Sequence, residues 1–166
     1  YENAQVVLDT GRGDFADELK TLNDLAYKLR GRRFKEGSIN FDSVETRFKL
    51  DADGKPLGIV LKERKESNLL IEDFMLLANK QVATFLAKKI YKGKHIPIPY
   101  RVHDLPDLEK LKNFNHFAKA FGYRINLTSP LKIAESFNAM INNLKGKPEE
   151  GMLTSLGIRC MAKAVY

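Results

Sequence analysis

One cysteine, Cys160, is all that the 166 residues contain. No internal disulfide can form, and no CxxC pair offers a zinc site. Cys160 lies among Leu156, Ile158 and Met161, so a buried, inert thiol is favoured over a nucleophile. A chain that manages without disulfides suits a reducing compartment, and a cytoplasmic location is expected. No apolar run approaches the roughly 20 residues of a membrane-spanning helix, and no membrane partner is expected. His95, His103 and His116 are scattered without HxxxH or HxH spacing, so each reads as a structural or surface histidine and no metal site is assigned. A catalytic triad, a phosphate-cradling glycine loop and a convergent carboxylate cluster are all missing. So are repeats, low-complexity segments and any internal domain boundary.

What is present is a mixed chain of 43% hydrophobic and 30% charged residues, in the range of one globular domain with its own core. Twenty-eight basic residues against twenty-one acidic ones give a net charge of +7. That balance favours polyanionic partners, nucleic acid above all, although solvated basic surfaces are common. The chain starts on Tyr1 without a methionine and stops on CMAKAVY inside a helical apolar pattern; both ends read as cut from something longer.

The longest helical pattern runs from Lys65 to Ile90, without glycine or proline. Its apolar residues fall on nearly every face, which predicts a buried central helix around which the rest packs. Asn68, Glu72 and Asn79 fall within an arc of ~40° on that helix. A carboxylate in such a setting needs a partner, which singles out Glu72. Ahead of this stretch, Tyr1–Leu8 predicts a short helix, and Phe15–Arg30 a second, capped by Asp14 and ended by Gly31. The cations Lys28, Arg30, Arg32, Arg33 and Lys35 at its end suit a helix C-terminus; a solvated end is favoured over a phosphate-contacting patch.

Phe48 and Leu50, then Leu57, Ile59 and Leu61, alternate about the turn DADGKP and predict a β-hairpin of two half-buried strands. Phe41, in the polar setting INFDS, suits either a core anchor or a platform for stacking a base. Farther on, Ile98, Tyr100 and Val102 predict an edge strand among prolines. Helices follow at Asp107–Phe121, at Leu131–Leu144 behind Ser129-Pro130, and at Met152–Tyr166. The fold class expected is α+β, mostly helical, with a long buried central helix and a small antiparallel sheet.

Several blocks resemble the catalytic (RNB) domain of the ribonuclease II and ribonuclease R family of 3′→5′ exoribonucleases, the bacterial ribonuclease R branch more than ribonuclease II. They are the continuous section from RRFKEGSINFDSVETRF through LIEDFMLLAN, then YRVHDLPDLEKL and GMLTSLGIRCMAKAVY, in the family's order across essentially all 166 residues. The resemblance implies a processive enzyme that threads single-stranded RNA into a basic channel. There it cleaves the terminal phosphodiester with magnesium ions held by aspartates and releases nucleoside 5′-monophosphates. It implies that Glu72 contacts the terminal sugars, where a carboxylate accepts hydrogen bonds from ribose 2′-hydroxyls that DNA lacks. No DNA preference is therefore expected. It implies that Phe41 stacks on the 3′-terminal bases, an interaction worth roughly 1–3 kcal/mol per base, and that Tyr1 lies near the scissile end.

The departures from the family pattern are equally specific. No D-x-D-D cluster occurs in the chain, and Ser129–Lys132 (SPLK) is only a helix start, not the family's Ser-Pro-Ile-Arg-Arg-type segment. The expectation is a single incomplete RNB domain over residues 1–166, inactive by itself. Its magnesium ligands would lie upstream of Tyr1 and its catalytic arginine downstream of Tyr166. The competing reading from another class is a non-catalytic RNA-binding or scaffold module with the same fold.

Overall fold

The computed structural model describes residues 1–41, 45–62 and 64–166. Asp42 and Ser43 of the INFDS block, with Val44 and Glu63, lie outside the described residues. The chain forms two compact units, one from Tyr1–Gly31 with Asp42–Val82, the other from Arg32–Phe41 with Ala83–Tyr166.

The first unit begins with α1 (Glu2–Thr10), which stops where Gly11 takes the left-handed conformation (φ 67°) and its N–H returns to the Val7 carbonyl. Glycine enters that region without the steric cost that a Cβ brings. Helix α2 (Ala16–Lys35) starts where expected but runs through Gly31 instead of ending there. A glycine inside a helix costs only about 1 kcal/mol, and the chain breaks out later, at Gly37 with φ 101°. Strands β1 (Glu45–Leu50) and β2 (Pro56–Lys62) form the expected antiparallel hairpin, with Phe48 opposite Ile59 and Thr46 opposite Leu61. Its strands are not half-buried, since Phe48 is 63% and Ile59 64% exposed. Alternation shows which residues share a face, not whether anything covers that face.

Helix α3 (Glu66–Ala87) is the longest in the chain, as its pattern predicts. Burial is confined to Ser67, Leu70 and Asp73 in its first two turns; Ile71, Met75, Leu76, Val82 and Phe85 are exposed. A helix apolar all round records demand for cover, and among the described residues full burial is found on one side of its N-terminal half.

The packing axis of the second unit is a different helix. Helix α5 (Pro130–Leu144) buries Ile133, Ala134, Phe137, Met140, Ile141 and Leu144, the three-to-four spacing of one helical face. Ser129 caps it through its hydroxyl, which accepts from the Lys132 N–H at 3.2 Å. Around it stand α4 (Leu108–Lys119), capped by Asp107, and α6 (Glu150–Ile158). Leu111, Phe114, Ala118, Leu153 and Cys160 close the core.

Several elements of this unit depart from their patterns. Ile90–Tyr91 (β3) and Lys94–His95 (β4) form a tight hairpin, turned by Lys92 and Gly93 at positive φ. Of the proline-flanked segment only Val102–His103 (β5) is strand, because Pro97 and Pro99 offer no N–H to a ladder. Its partner is Ala164–Val165 (β6), which replaces the end of the expected last helix. Helix α6 stops at Ile158, and the Cys160 carbonyl accepts instead from the Asp107 N–H at 3.2 Å.

Candidate nucleic-acid interface

Which way Glu72 faces is decided by its neighbours on α3. Ser67, Leu70 and Asp73 define the buried side, and at 100° per residue Glu72 points ~160° away from Leu70. Its side chain is 41% exposed, and its carboxylate is held in a hydrogen-bonded ion pair by Arg64, just before the helix. The partner that the pattern called for is therefore an arginine at the surface, not one in the core.

The acid buried in this helix is the next residue, Asp73, whose side chain is 1% exposed. Arg30, on α2, donates from Nε to Asp73 Oδ2 at 2.8 Å and from Nη1 to Glu66 Oε2 at 3.4 Å. Burial opposes the charge on Arg30, but the Asp73 carboxylate and then Glu66 outweigh it, so its pKa stands above the ordinary guanidinium value. The guanidinium also lies 5.0 Å from the centre of the Tyr27 ring, a cation–π arrangement. Burial, and then a hydrogen bond to Glu66, raise the Tyr27 phenol above its usual pKa.

Sequence reading missed this cluster because Arg30 belongs to a run of cations that suits a solvated helix end. The available signal was that Asp73 falls on the same helical stripe as Ser67 and Leu70, whereas Glu72 does not.

A second tie joins α1 to α3. The Ser67 N–H donates to Gln5 Oε1 at 2.9 Å, within buried surroundings, and the Gln5 N–H donates to the Tyr1 carbonyl at 2.9 Å. Gln5 Nε2 completes the arrangement by donating to Asp9 Oδ1 at 2.7 Å. Tyr1, 70% exposed, lines a cavity of about 240 Å3 with Ala4, Leu8, Leu19, Ser67, Leu70 and Ile71. Tyr1 thus shares a cavity wall with the residue that precedes Glu72.

Phe41 belongs to the other unit. It is half-buried, with its ring edge-on to Phe137 at a centroid distance of 5.7 Å. The segment before it is fastened to α5 by one side-chain amide. Asn138 Oδ1 accepts from the Asn40 N–H, and Asn138 Nδ2 donates to the Ser38 carbonyl, each at 2.9 Å. Core anchoring and a partly open ring coexist at this position.

Among the described residues no group of three or more His, Cys, Asp or Glu side chains converges to hold a metal ion. The described residues therefore offer no carboxylate cluster for a magnesium ion. His103 is structural, with Nδ1 3.2 Å from the Ala162 carbonyl where β5 meets β6. No helix among the described residues is long and apolar enough to cross a membrane.

Residues 1–166 match a family model described as the RNB domain. The chain is 33% identical over 151 residues to ribonuclease R 1 of Lactococcus lactis, covering 91% of this chain and 18% of that protein. To ribonuclease R of Aquifex aeolicus it is 33% identical over 153 residues, 92% of this chain and 21% of that one. In three dimensions it resembles ribonuclease R of Mycoplasma genitalium in complex with ribose-methylated single-stranded RNA, with a TM-score of 0.81 at 25% identity. That match covers all of this chain and 26% of the other. The chain therefore spans about a fifth of the length of the curated relatives it matches.

Proposed function

The chain belongs to the RNB-domain family, and from that membership we propose that it is one section of the catalytic domain of a processive 3′→5′ exoribonuclease. The enzyme hydrolyses single-stranded RNA to nucleoside 5′-monophosphates in the cytoplasm, and this section supplies residues that read the 3′ end. Family membership over the whole chain is the observation that carries the reading. The geometry supports it at Glu72. A carboxylate at the surface, oriented by an arginine, can accept from a ribose 2′-hydroxyl while the cation beside it attracts the backbone phosphate. Tyr1, on the same unit, offers an exposed ring, and half-buried Phe41 offers a ring that is sequence-blind as a stacking partner.

Magnesium belongs to this proposal only for the complete enzyme, with aspartate ligands drawn from outside these residues. The isolated 166 residues are then inactive.

Terminally labelled single-stranded RNA tests the reading, with the complete parent protein and this chain assayed side by side. Mononucleotides should accumulate with the parent alone. Their release by this chain, or the lack of any release by the parent, would contradict the proposal.

A further inference from the structure

We propose that Arg30 is a positioning residue for sugar discrimination, acting through Glu72; the inference rests on the sugar-reading role given to Glu72 above. Glu66 and Asp73 are seven residues apart, which places them within ~20° of one another on α3 and two turns apart along it. One guanidinium from α2 grips both, at 3.4 and 2.8 Å. Two contacts separated along the axis restrain helix rotation as well as distance, which a single contact cannot do.

The direction of Glu72 is fixed by that rotation. Glu72 follows Leu70 by two residues and precedes Asp73 by one, so turning α3 by a single residue position swings its carboxylate through 100°. At its own first turn α3 is tied to α1 by the Ser67–Gln5 hydrogen bond, a single contact that fixes one point of the helix. Arg30 supplies the second anchor. Arginine suits the role for its rigid planar fork, which binds two acceptors in fixed directions; lysine keeps the charge and loses the fork. The surface pair with Arg64 does not replace this anchor, since Arg64 holds the Glu72 carboxylate end rather than the helix beneath it.

The test is a double-mutant cycle in the complete parent enzyme, with kcat/KM measured on matched RNA and DNA oligonucleotides. Arg30→Lys should reduce the RNA-over-DNA preference about tenfold at a temperature where melting curves show it folded. In a Glu72→Ala background the same substitution should leave the remaining preference unchanged, because the residue it acts through is gone. Should Arg30→Lys not fold, Asp73→Asn breaks the same grip with nearly the same side-chain shape. A preference that stays intact while only the melting temperature falls would overturn the proposal. So would a loss of equal size with and without Glu72. If Glu72→Ala alone leaves the preference untouched, the sugar-reading role itself fails, and the positioning role falls with it.

Discussion

Arg30 and Asp73 are 43 residues apart in sequence and 2.8 Å apart in the fold, with the Asp73 side chain 1% exposed. Removing Arg30 takes from the Asp73 carboxylate, where water barely reaches, the cation that neutralises it. Arg30→Met should therefore cost about 3–5 kcal/mol of unfolding free energy, measured by chemical denaturation. Replacing both partners by apolar side chains of similar volume (Arg30→Met with Asp73→Leu) should recover most of that loss. A single substitution that costs under about 1 kcal/mol would show that the pair is not sealed from solvent.

Phe41 has two roles that different substitutions separate. Its ring packs edge-on to wholly buried Phe137, so Phe41→Ala should lower stability by about 1–3 kcal/mol, less than for a fully buried phenylalanine. Phe41→Leu restores apolar volume without a stacking face. In the parent enzyme it should melt close to wild type yet bind RNA more weakly and leave a longer final product. Unchanged affinity and product length would make Phe41 a core anchor and nothing more.

The Cys160 thiol carries a pH signature. Burial pushes its pKa up from the ordinary 9.0; Lys110 counteracts this and Asp107 adds to it. In the folded protein the thiol keeps its proton at pH values where the unfolded chain has lost it. Its contribution to stability is therefore complete below pH 9.0 and erodes as pH rises through that value toward the higher folded pKa. The stability difference between wild type and Cys160→Ala should narrow between pH 8 and 10, read from melting curves, about the ordinary value of 9.0. At neutral pH a thiol reagent should label the unfolded chain and spare the native one. Fast native labelling would contradict the buried placement.

Gly157 tests how tightly the second unit is packed. A Cβ there would stand 2.9 Å from Phe137 Cε1, and that ring is stacked on Phe114 with centroids 5.4 Å apart. Glycine to alanine within a helix ordinarily stabilises by up to about 1 kcal/mol. Here the clash should more than offset that gain, since overpacking a core costs about 1–3 kcal/mol. A denaturation midpoint raised by Gly157→Ala would show that the ring has room to move.

Local chemistry was often legible in the sequence where the deciding groups were near neighbours, although Gly31 did not end α2. Ser129 caps α5 as its position predicts, and the hairpin forms about its turn, with Phe48 opposite Ile59; Asp107 caps α4 where the pattern made it the first helical residue. The DADG acids form a turn, with the Asp51 carboxylate accepting from the Lys55 N–H at 2.8 Å. Burial was not legible. The apolar girdle of α3 suggested the axis of the fold, yet the axis of the second unit is α5, whose apolar face meets partners that the 3.6-residue period cannot name. Residues Ala164–Val165 continue a helical pattern and still form a strand, because pairing with Val102–His103 outweighs local preference. At the candidate site, the helical pattern singled out Glu72 and the resemblance to the family gave it a role, but the ion pair beneath it joins residues too distant for any periodicity to connect.

The role of Glu72 in telling ribose from deoxyribose is most directly tested in the complete parent enzyme. Wild type and Glu72→Ala would be compared on oligonucleotides identical except for ribose or deoxyribose at the 3′ end. Because the Arg64–Glu72 pair is partly exposed, its loss should cost at most about 1 kcal/mol of stability, so a change in activity is separable from unfolding. The account predicts that wild type strongly prefers the ribose end and that Glu72→Ala degrades both substrates at similar rates. An unchanged preference, in a variant that melts as wild type does, would contradict it.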